Sequence, residues 1–569
     1  MSEAASASTE FRTCPVTRLK VHRGAENLIK ANAVVAVVMF AIGVTAAFLL
    51  VMTRWQVVHL LSAEWYYRLL TAHGLHMLIF FIIFFEMAIL YFAGPVLLGS
   101  RLPTPWLGWI SLALMIAGVV LVDLMVFSGK ADVTWTSYPP LRADPLYYLG
   151  IILFAVGALV VTGMFFATLV VAKREHTYEG SMPLVVFGAL TAAIIAVVTL
   201  VHGAAIYIPT FLWSLDLIPM DAEAYRLILW AMGHSSQQIN VAAMVSVWYL
   251  LGGLTCGAVV LNEKISRTAF VLYILFINLA SAHHLLVDPG WSPAWKIVNT
   301  SYFMYLAVLA SMIHGFTVPA GLEIGQRLRG LTNGTFEWLR KAPWGDPGFS
   351  GMFLSLIIFG FMGGVTGVTI GTEQISIIAH NTLRIPGHFH TTVVGGTALA
   401  FMALTYYVIP LIFRREIVWY KAAKVQPYLF GGGVALFATG MILAGIFGVP
   451  RRHYDISFTN APFPVEFPPA VDLFLGLVAV GGTIAFIGGL IYILVTVLSV
   501  FFGKPLTEEA LRNGTASVPQ GVLRLPTQDR KEESHHAPGT MILVFVFLAV
   551  FVAYYFTNWK ILSTVWKLG

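Results

Sequence analysis

The chain has 569 residues, of which 58% are hydrophobic and 11% charged, and its mean hydropathy is +0.80. This excludes a soluble protein and points to an all-α membrane bundle, because each spanning helix needs about 20 mostly apolar residues. The net charge of +6 reflects where membrane proteins keep Lys and Arg and does not point to nucleic acid.

Residues 1–29 are polar and lack an apolar signal core followed by a cleavage site, so they read as an N-terminal tail. Apolar runs then predict thirteen spans, near 30–52, 68–92, 106–128, 146–172, 184–206, 228–254, 268–288, 298–320, 351–372, 386–413, 427–448, 471–500 and 540–559. Most of the 34 Lys and Arg fall in the tail and the even-numbered loops. That bias puts the N-terminus in the cytoplasm and the C-terminus outside. Residues 30–500 read as one bundle of about twelve helices. Residues 501–539 read as a cytoplasmic polar linker, and 540–569 as a last peripheral span with an outer tail. A second cytoplasmic insert is expected over 321–350. The outer loop 449–470 is poor in helix formers and holds Arg451 and Arg452. No internal repeat of the transporter kind is visible. Two cysteines, Cys14 and Cys256, are too few for a disulfide framework or a cysteine-held cluster.

Six histidines share one depth in this topology. His73 starts the second span and His234 the sixth. His283 and His284 end the seventh, and His388 and His390 start the tenth. Imidazole in hydrocarbon needs a partner, and neutral imidazole is a versatile ligand for iron and copper. Helix residues turn by about 100° each, so His388 and His390 point to opposite sides of one helix. Two metals flanking that helix satisfy both. His283 and His284 converge only from a distorted helix end, which Asp288–Pro289–Gly290 supplies. With His234 they make a three-imidazole site. His73 faces inward and pairs with one of the tenth-span histidines. A single intramembrane His is as often a hydrogen-bonding core residue, so His76, His202 and His314 receive no ligand role. A proton relay would cross depths, whereas these six form a layer.

The stretches LTAHGLHMLIF (70–80), SYPPLRADPLYYLG (137–150), WAMGH (230–234), SAHHLLVDPGWSPAWKIV (281–298), FTVPAGLEIGQRLRG (316–330), HNTLRIPGHFH (380–390) and VPRRHYD (449–455) carry a resemblance. They resemble subunit I of the haem–copper oxidase superfamily, and the B-type cytochrome c oxidases in particular. The resemblance implies a thirteen-helix catalytic bundle with two haems and one further metal. His73 and His390 would be the axial ligands of a six-coordinate, low-spin haem. His388 would be the proximal ligand of a high-spin haem. His234, His283 and His284 would hold copper, with non-haem iron as the alternative. Arg451 and Arg452 would pair with haem propionates, and Asp288 and His380 would lie in the polar region beside them. Electrons would pass through or beside Phe389. The implied partners are a subunit II with a cupredoxin-like copper domain and a cytochrome c or small copper protein as donor. The implied location is a bacterial or archaeal cytoplasmic membrane.

The chain departs from that pattern four residues after His234. B-type oxidases carry there a tyrosine cross-linked to the histidine, and WAMGHSSQQIN puts Gln238 in its place. Residues i and i+4 share a helix face, so Gln238 lies beside His234. A glutamine forms no phenolic cross-link and donates no hydrogen atom to O–O cleavage. A second oxidase class moves the tyrosine to the start of the seventh span, where this chain has Glu263, with Tyr273 elsewhere on that span. Of the usual proton route, Tyr249 matches one member, while Val245, Ala310 and Ile313 stand at others. Ser235, Ser236, Gln237 and Asn240 add polarity beside the metal, although such residues commonly bond helix backbone. The carboxylate found beside the second metal in other nitric oxide reductases is not identifiable: Glu373 lies in the right outer region, with a simple loop charge as the alternative. The expected activity is therefore nitric oxide reduction, 2 NO + 2 e⁻ + 2 H⁺ → N₂O + H₂O. The alternatives are a cytochrome c oxidase that tolerates Gln238 and, from another class, a non-catalytic haem gas sensor.

Overall fold

The structure is a computed structural model and describes residues 10–277, 279–523 and 536–565. The parts of the expected tail, linker and outer tail at 1–9, 524–535 and 566–569 lie outside the described residues.

A short antiparallel hairpin, β1 (Phe11–Thr13) and β2 (Lys20–His22), precedes the bundle. The first helix, α1 (Arg23–Arg54), starts well before the expected residue 30. The His22 ring accepts a hydrogen bond from Ala25 N and caps it. The next spans are α2 (Ala63–Val96), α3 (Pro105–Phe127), α4 (Pro145–Arg174), α5 (Leu184–Ser214) and α6 (Ala222–Cys256). Their starts follow cap chemistry. Asp144 precedes Pro145, and Asp221 accepts from Ala224 N. Gly257, with φ of +61°, ends α6 in the left-handed region that suits glycine.

The seventh expected span is divided. It runs as α7 (Glu263–Leu272), a wide π turn (Tyr273–Ile277) and a 3₁₀ turn (Ala280–Leu285) that carries both histidines. This is the distorted helix end that the His-His pair requires. The remaining spans are α8 (Pro293–Leu328), α9 (Pro347–Gly371), α10 (Arg384–Phe413), α11 (Tyr420–Ile446), α12 (Ala470–Phe502) and α13 (Pro538–Val565). Twelve of the thirteen expected spans are thus long apolar helices, and the chain is a multi-pass membrane protein.

Burial orders the bundle. In α10, 83% of the apolar window is buried inside the protein, against 11% in α13. The helix that carries His388 and His390 is therefore the axis, and α13 is peripheral as expected. Helices α3 and α4 cross so closely that a Cβ on Gly118 would sit 2.4 Å from Gly150 O. Wide π turns recur in α2 (His76–Phe80), α9 (Ile358–Gly364) and α10 (His390–Ala398), each beside a layer histidine or its partner. Such turns often mark functional sites.

Two inserts are more ordered than their polarity suggested. α8 continues to Leu328, so the 321–350 insert shrinks to a segment with one helical turn, Glu337–Arg340. The described part of 501–539 folds back on the bundle: Leu506 N bonds to Arg414 O and Ile417 N to Ser517 O.

Candidate functional site

α2 and α10 bring His73 and His390 face to face across a large internal cavity. Their rings are 9° from parallel with centres 6.1 Å apart. Two imidazoles on opposite sides of one metal, each at a bond of ~2 Å, stand roughly 6 Å apart by ring centre. The outer nitrogens are occupied. His73 Nδ1 meets Gly43 O at 3.1 Å, and His390 Nδ1 meets Pro386 O at 2.7 Å. A backbone acceptor of this kind fixes the tautomer of a metal-binding histidine and leaves Nε2 for the metal. The cavity walls are apolar, from Val44, Phe48, Phe389, Phe430, Phe437 and Phe486. A haem fits this arrangement.

His388 points the other way, toward α9. Its Nδ1 lies 3.0 Å from both Gly363 O and Thr366 Oγ1. Gly367 gives it room, since a Cβ there would come within 2.8 Å of the ring. His388 and His390 thus face different neighbours, α9 and His73 on α2, although a π turn begins at His390.

His234, His283 and His284 converge, with one ring nitrogen from each within 4.8 Å of the others. His234 Nδ1 is 3.1 Å from His284 Nε2. Two nitrogens on one tetrahedral metal stand about 3.3 Å apart. Trp230 stacks on His284 at 3.9 Å and holds the ring in place. On the far side of His234, Nε2 lies 3.4 Å from the Gln238 amide. The Gln238 atom at that distance is its amide nitrogen, which donates to the ring nitrogen when that nitrogen carries no proton. Ser235 and Ser236 bond to backbone carbonyls of their own helix, Ala231 O and Gly233 O. That is the structural role weighed for them.

The outer rim is cationic. Arg451 and Arg452 line the His73–His390 cavity, and among the described residues neither has a carboxylate partner. Arg451 Nη2 donates to Asn381, its Nε is buried without a partner, and Arg452 lies over the Tyr138 ring. Burial, with Arg452 next to it, pushes the Arg451 pKa down to about 9. Burial and the neighbouring Arg451, Arg226 and Arg452 push His380 down to about 3. Such a rim suits the carboxylates of a haem. Asp288 is already engaged by Arg226 in a two-pronged pair at 2.7 and 2.8 Å. Arg226 also lies over the Tyr138 ring, 4.6 Å from its centre.

Other expectations resolve differently. Glu373 opens a short helix, Glu373–Ala379, and pairs with Lys296 at 3.5 Å. Glu263 opens α7 and pairs with Arg267. His76 and His202 bond to carbonyls of their own helices. His314 joins Tyr249, Ser266 and Thr317 in one hydroxyl cluster with contacts of 2.7–3.1 Å. Tyr273 bonds to Ser311 next to it. Polar side chains thus stand one residue along from the apolar Ala310 and Ile313. Sequence reasoning missed Arg54, which holds the 449–455 loop through Pro450 O and His453 O and lines the cavity. It read only as a cation at a span end.

Fold and site define a class: a membrane helical bundle with a bis-imidazole cavity and, at its edge, a three-imidazole cluster able to hold a metal. The family model of cytochrome c and quinol oxidase polypeptide I matches residues 27–484, and the chain belongs to this family. It is 29% identical to cytochrome c oxidase subunit 1 of Thermus thermophilus over 438 residues, 76% of each chain. It is 25% identical to cytochrome c oxidase subunit 1 of Synechocystis, over 79% of this chain and 78% of that one. It is 24% identical to ubiquinol oxidase subunit 1 of Acetobacter aceti, over 68% and 59%. A solved haem–copper terminal oxidase dimer aligns at a TM-score of 0.79 and 25% identity, over 94% of this chain and 92% of that one.

Proposed function

We propose that this chain is the catalytic subunit of a respiratory complex that reduces nitric oxide, 2 NO + 2 e⁻ + 2 H⁺ → N₂O + H₂O. Gln238 carries the reading, because it occupies the face of His234 where a tyrosine would supply a hydrogen atom. Two-electron reduction of NO breaks no O–O bond and needs no such donor. His73 and His390 hold a low-spin haem and His388 a high-spin haem. His234, His283 and His284 hold copper, with iron as the alternative. The haems and the metal supply electron storage and gas binding when bound. The chain would position them through α10, which carries His388 and His390, with Phe389, stacked on His390 at 4.9 Å, between these two histidines in sequence. Arg451 and Arg452 hold the propionates, with Asp288 and His380 nearby. Gln238 orients His234 and presents its amide to the gas. Electrons arrive from a cupredoxin-like subunit II, fed by a cytochrome c or small copper protein. The N-terminus faces the cytoplasm of a bacterial or archaeal cell, and the histidine layer lies in the outer half of the membrane.

The test is anaerobic turnover of the purified complex with a reduced donor, with O₂ uptake measured separately. Fast NO loss with one N₂O per two NO, and slow O₂ uptake, is expected. Fast O₂ uptake with little N₂O would overturn it.

The second reading is O₂ reduction, favoured because the relatives above are oxidases by name. Gln238→Tyr separates the two. On the nitric oxide reading, NO turnover falls about tenfold, equivalent to ~1.4 kcal/mol of barrier. An O₂ turnover in the wild type that Gln238→Tyr raises further supports a modified oxidase.

A further inference from the structure

Glu86 lies on α2, roughly 20 Å beyond His73 at 1.5 Å per residue. It is 4% exposed, in the stretch where α2 packs against α1, α4 and α6. Among the described residues, no lysine, arginine or histidine forms an ion pair with it. A lone carboxylate inside a membrane protein is costly and needs a proton or a donor. The side chain within reach is Asn240 on α6.

One end of the Asn240 amide is 2.9 Å from Glu86 Oε1. The other end is 3.2 Å from Gln237 Oε1. Gln237 in turn lines the His73–His390 cavity and bonds to Ser236 Oγ. An amide has one donor end and one acceptor end. When Glu86 is protonated, its O–H donates to Asn240 Oδ1, and Asn240 Nδ2 donates to Gln237 Oε1. When Glu86 is ionised, Asn240 turns over and Nδ2 donates to the carboxylate. Asn240 Oδ1 then faces Gln237, which must turn its own NH₂ inward. The charge on Glu86 is thus written at the cavity wall as the direction of two amides.

We propose that Glu86 is a redox-linked proton-binding site whose charge state reaches the haem cavity through Asn240 and Gln237. An electron from the reduced donor adds negative charge in a low-dielectric interior, where screening is weak enough for it to favour protonation of a buried carboxylate at that distance. The carboxylate takes one proton from the aqueous phase, COO⁻ + H⁺ → COOH. It releases that proton when the electron moves on to the gas. Glu86 touches neither the gas nor a metal ligand, so it acts as a positioning and proton-holding residue. The inference holds whichever gas is reduced.

The experiment is redox-induced infrared difference spectroscopy of the purified complex, together with the pH dependence of the low-spin haem potential. On reduction, a protonated-carboxyl band is expected in the wild type, absent in Glu86→Gln and shifted in Glu86→Asp. The wild-type potential falls as pH rises, since reduction takes up a proton, and the slope drops by at least half in Glu86→Gln. Asn240→Leu keeps Glu86 protonated in both redox states and also removes the difference band. Identical bands and slopes in wild type and Glu86→Gln overturn the proposal. If Glu86→Gln does not assemble, unchanged bands in both Glu86→Asp and Asn240→Leu overturn it equally.

Discussion

The histidines of α2 and α10 are each held by a particular second partner, and those partners set what their loss does. His73 and His390 lean on backbone carbonyls, and His388 on Gly363 O and Thr366. None of these bonds needs a metal, so the scaffold survives the loss of one ring. His390→Ala is expected to remove the low-spin haem and leave the high-spin haem, read from visible spectra of the purified complex. His283→Ala is expected to lower the copper or iron content to background by elemental analysis while both haems stay. Loss of both haems from His283→Ala would mean that the three-imidazole cluster is part of the folding core and not a separate metal site. Gln238 was legible because i and i+4 meet on any helix. Arg54 and Glu86 were not. A cation at a span end and a carboxylate within one look alike in sequence whether they face lipid headgroups or a cavity.

At the scale of elements, departures from the regular helix position the site. The 3₁₀ turn Ala280–Leu285 brings adjacent histidines together, and the π turn from His390 resets the faces of α10. Gly367 on α9 leaves the space that His388 occupies. Gly367→Ala overpacks that contact, at a cost of about 1–3 kcal/mol. It should lower high-spin haem content while the low-spin spectrum is kept. The sequence marked the helix ends through Asp144, Asp221 and Pro293. It did not mark the π turns, because an extra residue in one turn costs little in an apolar run and leaves no compositional trace. The insert 321–350 was read as loop from its charges. Two of its carboxylates are buried and paired with a cation one helical turn on, as in Arg327–Glu323 and Lys341–Glu337.

At the scale of the molecule, the peripheral α13 is fastened at its start. The carboxylate of Glu323, fully buried on α8, accepts from Gly539 N at 3.0 Å, Thr540 N at 2.7 Å and Thr540 Oγ1 at 2.9 Å. An anion at a helix N-terminus is favourable, and hydrogen bonds to a charged group contribute ~1.5–3 kcal/mol each. Glu323→Ala should raise hydrogen exchange at amides 539–541 severalfold and leave the haem spectra unchanged. An unaltered exchange rate would show that α13 is held by its apolar face instead. The described part of the 501–539 linker also docks, through backbone bonds at Leu506 and Ser517 that any polar sequence can make.

By itself the sequence determined the membrane class, twelve of the thirteen spans as long apolar helices, and the presence of glutamine beside His234. Those follow from hydrophobic run length and from the periodicity of one helix, which are local properties. Only the tertiary structure decided which histidine faces which, that two arginines on the rim lack a carboxylate among the described residues, and that Glu86 meets Asn240. Each of these is a contact between helices far apart in the chain. Their approach depends on small residues and irregular turns whose consequences appear only when the whole bundle is packed.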